Sequence, residues 1–183
     1  MAAMTGIRAG LSAALALAVA ACAATATNPA LERLEDRALI EAALERYMHG
    51  LDLFDGDLYA SAFWEDGEFL YEGELHRGRD AMRAVIAERA EGRDAAAARG
   101  EPERTTFHVS MNSRLAFVDA DTAVHHAYWA TIERFTDGRI GVASAGSSVD
   151  RFVQRDGDWA ILRRELYDDP RPSDLGADQG REP

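Results

Sequence analysis

Apolar residues recur at helical spacing along the first third of the chain. Leu31, Leu34, Ala38, Ile40, Ala43, Leu44, Tyr47, Met48 and Leu51 form one stripe. Before them, Asn28-Pro29 is a helix start, a capping side chain followed by proline at the first helical position. The pattern predicts an amphipathic helix from about Pro29 to about Met48, ending near Gly50. Asp55-Gly56-Asp57 interrupts it and offers a cap for a short helix carrying Leu58, Phe63 and Trp64, closed by Asp66-Gly67. From Glu68 to His76 the pattern contracts to two brief strands around Glu72-Gly73, a tight hairpin. A third helix, about Asp80 to Ala90, follows Gly78 and carries Met82, Val85 and Ile86. Residues Glu91 to Glu103, rich in Gly, Ala, Arg and Glu and containing Pro102, predict a mobile loop.

The second half changes period. Thr105 to Val118, Thr122 to Phe135, Ile140 to Gln154 and Asp158 to Tyr167 are long segments with β-branched and aromatic residues. Asp119-Ala120, Asp137-Gly138 and Asp156-Gly157 separate them as hairpin turns. Four sequential antiparallel strands of this length form a strongly twisted sheet whose apolar face the helices must cover. After Tyr167 the Pro, Asp and Gly content predicts a disordered tail, residues 169–183. The fold class is therefore α+β, in one domain over 29–168.

Composition narrows the chemistry. The chain has 183 residues, 47% of them apolar, enough for one domain with a real core. Its formal charge is −12, which argues against nucleic acid as a partner. All 20 basic residues are arginine, and without lysine no Schiff base can form. Lysine-dependent aldolase and decarboxylase mechanisms are thereby excluded. Cys22 is the single cysteine, so an internal disulfide, a cysteine zinc site and a CxxC pair are all ruled out.

Cys22 also closes a targeting pattern. Arg8 is the only charged side chain before it, and Ala9 to Ala21 form an apolar run of signal-peptide length, too short to span a bilayer. Val19-Ala20-Ala21-Cys22 resembles the lipobox of bacterial lipoprotein signals. That resemblance implies a signal peptide over residues 1–21, acylation of Cys22 and a short linker over 22–28. Ordinary cleavage at Ala21-Cys22-Ala23 or Ala24-Thr25-Ala26, or an uncleaved anchor, are the other readings. All place the domain outside the cytoplasm, facing the periplasm or cell exterior, with the membrane reached only through the anchor.

Several stretches carry a second resemblance: Tyr47-Met48-His49-Gly50-Leu51-Asp52, Phe63-Trp64-Glu65-Asp66-Gly67, Gly78-Arg79-Asp80-Ala81-Met82 and Phe107-His108-Val109-Ser110-Met111-Asn112. Asp121-Thr122-Ala123 and Asp156-Gly157-Asp158-Trp159 complete the series, which spans about Leu31 to Tyr167. In order and spacing the chain resembles the SnoaL-like branch of the NTF2-like superfamily, with its scytalone dehydratase-like and polyketide cyclase-like members. The resemblance implies an NTF2-like cone, three N-terminal helices packed on a strongly curved, mainly antiparallel sheet. It also implies a pocket at the mouth of the cone, where an Asp at the end of helix one faces a His on the first long strand. Asp52 and His108 occupy those positions. A carboxylate against an imidazole sets its tautomer and raises its basicity, giving a base that can remove a proton beside a carbonyl.

Strand alternation puts His108, Ser110, Asn112 and Arg114 on one face. Phe107, Val109, Met111, Leu115 and Phe117 occupy the other face or shift to it. Either face could be the concave one; the family pattern puts the histidine inside. Of the adjacent His125 and His126 one must point inward, and the shared face of residues two apart favours His125, which the resemblance would make a second acid or base. By the same resemblance Tyr71 is placed to polarise a carbonyl. Ser148 falls where the family has a polar amide. Tyr47, Trp64, Asn112 and Trp129 are further ligand-binding candidates, although Trp64 and Trp159 also suit core and wall. Arg163, Arg164 and Glu165 read as a salt-bridged sheet edge. Neighbouring histidines could bind zinc, but no His-rich motif of strong spacing is present, so neither metal nor cofactor is assigned.

Two functions follow from this reading. One is a cofactor-independent lyase or isomerase acting on a small apolar or cyclic molecule. The other is a noncatalytic envelope module that binds an apolar ligand or protein partner through the same pocket, which export favours. A homodimer is compatible with either.

Overall fold

A computed structural model of the protein describes residues 28–169. The targeting segment, Cys22 and the tail from Pro170 on lie outside the described residues. The chain divides into two units after Asp36. The described part of the first is the opening of helix α1 (Pro29–Leu53), where the Asn28 side chain accepts the Ala30 N–H at 3.0 Å and Arg33 pairs with Asp36 at 3.1 Å. Leu31 and Leu34 are exposed. The second unit holds the rest of α1 and every other element.

From Ile40 on, α1 buries one face through Ile40, Ala43, Tyr47, Gly50 and Leu51. Helix α1 runs past the expected end at Met48 because Gly50 has a packing role. A β-carbon there would lie 2.5 Å from the Tyr59 backbone, so the glycine lets α1 and α2 (Gly56–Ser61) approach directly. Phe54 then takes a left-handed conformation, φ 55°, and Asp55 caps α2 by accepting the Leu58 N–H at 2.9 Å.

Phe63 and Trp64 belong to strand β1 (Phe63–Tyr71), not to the short helix expected for them. An irregularity in pairing between Phe63 and Glu68 hides the strand's alternation in the sequence. Strand β2 (Glu74–Arg77) pairs with β1 across Glu72-Gly73, whose φ values of 49° and 82° make the tight turn.

Helix α3 (Gly78–Ala98) consumes most of the segment expected to be a loop. Alanine, arginine and glutamate are strong helix formers. The helix ends only where Gly100, φ 75°, donates to Ala97 O and Glu101 donates to Ala96 O, a Schellman closure.

The four long strands are β3 (Arg104–Phe117), β4 (Thr122–Phe135), β5 (Ile140–Arg155) and β6 (Asp158–Tyr167). The sheet order is β2-β1-β6-β5-β4-β3, with β1 parallel to β6 and every other pair antiparallel. The architecture is α+β, helices packed against a six-stranded mixed sheet. Its core joins Ile40, Tyr47, Tyr59, Phe63, Met82, Ile86, Phe152, Trp159 and Ile161.

Candidate active site

Strand register decides which side chains face the helices. Thr106, His108 and Ser110 lie opposite Glu133, Thr131 and Trp129, so these six share a face. One extra residue is inserted between Met111 and Arg114, at Asn112 with φ 50°. Beyond that bulge the parity is exchanged: Leu115 and Phe117 turn inward against the core, while Arg114 pairs with His126 on the outer face. Asn112 is exposed at the bulge and away from the cavity, which corrects its assignment as a ligand contact.

The inward face encloses a cavity of about 700 Å³. Tyr47, Met48 and Leu51 from α1, Phe69 and Tyr71 from β1, Arg89 and Arg93 from α3, His108 from β3, Trp129 from β4 and Arg164 from β6 are among its lining. Trp129 donates its indole N–H to Ser147 O at 3.0 Å and meets Tyr71 edge-on, with centroids 6.3 Å apart. Gly146 makes room for the indole, since a β-carbon there would sit 2.8 Å from its ring. Burial, and next the charge of Glu72, push the Tyr71 hydroxyl up to about 12, so it is a donor at neutral pH.

At the cavity wall Asp52 meets His108. One carboxylate oxygen, Oδ1, accepts the His108 backbone N–H at 2.9 Å and faces Nδ1 of the same residue at 2.7 Å. Both contacts on one oxygen lock the ring, and the acceptor at Nδ1 puts the imidazole proton there. The Nε2 lone pair is left toward the cavity. Burial lowers the His108 pKa below its ordinary value; the hydrogen bond to Asp52 opposes this, and the charge of Arg89 adds to it. At the ordinary histidine value the neutral imidazole is therefore the major form. The pair is a hydrogen-bonded carboxylate and neutral base, not an ion pair, near pH 7.

A second network lies behind the wall. His125 Nδ1 is 3.0 Å from Asp150 Oδ2, which also accepts from Arg164 Nη1 at 2.8 Å. All three are buried, and the Arg164 guanidinium stacks 4.0 Å over the Tyr47 ring. His125 does point inward, but it stops short of the cavity and reaches it only through Asp150 and Arg164. Ser148, 1% exposed, is likewise inside and off the cavity wall. Trp64 turns away to donate to Val153 O at 2.9 Å. Among the described residues no group of three or more His, Cys, Asp or Glu side chains is placed to hold a metal ion.

Sequence reasoning missed Asp150, Arg164 and Arg89. Strand β6 is interior to the sheet, and of two adjacent arginines one must face each side. Arg163 faces outward to Glu68 and Glu165, and Arg164 faces the core. That alternation was available in the sequence. It indicates the pair, but not which member is inside.

A SnoaL-like domain model matches residues 32–165. The chain belongs to the SnoaL-like domain family. No curated protein matches this SnoaL-like chain. Among solved structures it is similar to a function-unknown protein from Mycobacterium tuberculosis, at 27% identity and TM-score 0.65 over 81% of this chain and 80% of that one. It is similar also to an NTF2-like protein with a cystatin-like fold from Novosphingobium aromaticivorans, at 25% identity and TM-score 0.64 over 85% and 95%. A third, a candidate scytalone dehydratase from the same organism, matches at 28% identity and TM-score 0.57 over 74% and 85%. The SnoaL-like chain thus shares the NTF2-like fold, as its element order implied.

Proposed function

We infer that this SnoaL-like protein is a cofactor-independent acid–base enzyme, a dehydratase- or cyclase-like lyase or isomerase acting on a small apolar or cyclic carbonyl compound. The 2.7 Å contact between Asp52 and His108 at the wall of an aromatic-lined cavity carries the reading. Its similarity to the candidate scytalone dehydratase supports the reaction class. His108 Nε2 removes a proton from the carbon beside the carbonyl, and the electron pair of that C–H bond moves onto the carbonyl oxygen. Asp52 holds the ring and stabilises the imidazolium. Where a hydroxyl stands one carbon further on, the enolate re-forms the carbonyl and expels it; the imidazolium returns the proton and water leaves. Tyr71 contributes a neutral hydrogen-bond donor. His125 takes no direct part, because it lies behind Arg164.

The test is α-proton exchange in D₂O, followed by NMR for a panel of small cyclic ketones and phenolic ketones. Exchange of at least one member is expected, with an acid limb in the rate profile inflecting below pH 6.5, the ordinary histidine value. The sign follows from His108, which must be neutral to act and whose pKa is lowered in the folded protein. If no member exchanges, the cavity serves a binding module instead.

The site operates outside the cytoplasm, on a domain tethered through acylated Cys22; the support is the apolar run and Val19-Ala20-Ala21-Cys22 alone. Cys22→Ala in the full chain is then expected to move the protein from the detergent-extracted membrane fraction to the soluble exported one. Identical fractionation of the two chains would rule out the tether.

A further inference from the structure

Among the described residues five arginines line the cavity, and four of them are committed to carboxylates. Arg93 pairs with Asp94, Arg99 with Glu101, Arg104 with Glu133 and Arg164 with Asp150, each at 2.8 Å. Arg89 is the exception: among the described residues its guanidinium makes no ion pair, and its one hydrogen-bond contact is His108 Nε2 at 3.4 Å. A guanidinium has donors only, and 3.4 Å exceeds the usual range for N–H hydrogen bonds. Its donating capacity is almost unspent, beside the lone pair assigned as the base.

The placement comes from helix α3. Met82 and Ile86 anchor that helix in the core, at 0% and 2% exposure. Arg89 follows Ile86 by three residues and so stands on the same face, one turn further along. Arg89 is itself exposed, at the cavity lining, and brings one guanidinium nitrogen to 3.4 Å from the imidazole Nε2.

A base and a cationic fork side by side match one substrate feature, an acidic C–H with an oxygen on the adjacent carbon. We propose that Arg89 binds the carbonyl oxygen of the substrate and takes up its negative charge as the enolate forms, which restricts the substrate class to enolisable carbonyl compounds presenting that oxygen toward α3. The assignment rests on His108 acting as the base. The proton goes to Nε2, the electron pair goes to the oxygen, and the Arg89 N–H groups turn from a long contact with the imidazole to a charge-assisted one with the oxyanion. The aromatic wall of Tyr47, Phe69 and Trp129 takes the body of the molecule.

A phenolate reproduces the flat ring and oxyanion of a cyclic enolate without reacting. Binding of para-nitrophenolate, read by its absorbance at a pH where it is fully ionised, is compared with binding of nitrobenzene, which lacks the oxygen. Arg89→Gln is expected to weaken para-nitrophenolate by about 10- to 100-fold, the worth of a charged hydrogen bond, and to leave nitrobenzene within about twofold. Arg89→Lys, which keeps the charge without the fork, recovers part of the loss. Equal phenolate affinity in wild type and Arg89→Gln, or no phenolate binding by wild type, would overturn the assignment. The α-proton exchange assay on the same proteins separates the two readings. Loss of phenolate affinity in Arg89→Gln with no exchange by wild type retains the oxyanion site and removes His108 as base, whereas persistent exchange with unchanged affinity removes Arg89 and keeps the base.

Discussion

His108→Ala is expected to slow α-proton exchange by about 10²–10⁴-fold, the usual worth of a positioned general base. The protein should remain folded, since His108 is at the cavity wall and outside the main buried cluster. Asp52→Asn should approach the same loss by a different route. Asp52 Oδ1 receives both the backbone N–H and Nδ1 of His108, so the carboxylate fixes the ring as well as its tautomer. An amide can present its NH₂ group to Nδ1 and stabilise the tautomer with the proton on Nε2, which leaves no lone pair facing the cavity. Asp52→Asn should also differ from wild type in pH dependence. In wild type the acid limb lies below the ordinary histidine value because burial disfavours the imidazolium, against the pull of Asp52. Removing the carboxylate leaves burial and Arg89 unopposed, so residual activity in Asp52→Asn should show its limb at still lower pH. A His108→Ala enzyme exchanging at the wild-type rate would sink the dyad as the source of activity.

Asp150→Ala is expected to cost about 3–5 kcal/mol of stability, the range for removing one member of a buried ion pair. Asp150 is fully buried and its Oδ2 serves both Arg164 and His125, at 2.8 and 3.0 Å. Without it the Arg164 guanidinium, 2% exposed, loses its carboxylate and is left beside the side chains of Tyr47 and Tyr59 in the core. Thermal unfolding followed by circular dichroism should show a drop of roughly 6–20 °C for a chain of this size. The double variant Asp150→Leu with Arg164→Leu should recover much of that loss, because matched apolar replacement removes the unpaired charge. A shift of under about 2 °C in Asp150→Ala would mean that the pair is not buried in solution.

How legible the fold is in the sequence differs from element to element. The long strands β3 to β6 were visible because alternating β-branched and aromatic residues stop at Asp-Ala and Asp-Gly turns, all of them local signals. Glu91 to Ala98 were misread because a Gly- and Arg-rich segment suggests a loop, while its Schellman closure at Gly100 depends on a conformation that composition does not report. Phe63 and Trp64 were misassigned because β1 is held by β6, nearly a hundred residues away in sequence, and an irregular register conceals its period.

The site divides in the same way. Sequence alone determined that Asp52 and His108 sit at a helix end and on a long strand, that one of two adjacent histidines and one of two adjacent arginines must point inward, and that lysine chemistry is absent. Alternation states which residues share a face, yet it cannot say which face meets the helices. Only the tertiary structure decided that: the polar face of β3 lines the cavity as far as His108, and the bulge at Asn112 then hands the inward side to Leu115 and Phe117. It likewise decided that Arg164 and not Arg163 is buried, that His125 stands behind the wall, and that Arg89 reaches the imidazole from α3. These outcomes depend on register between distant segments, where a shift of one residue exchanges every inward side chain for its outward neighbour.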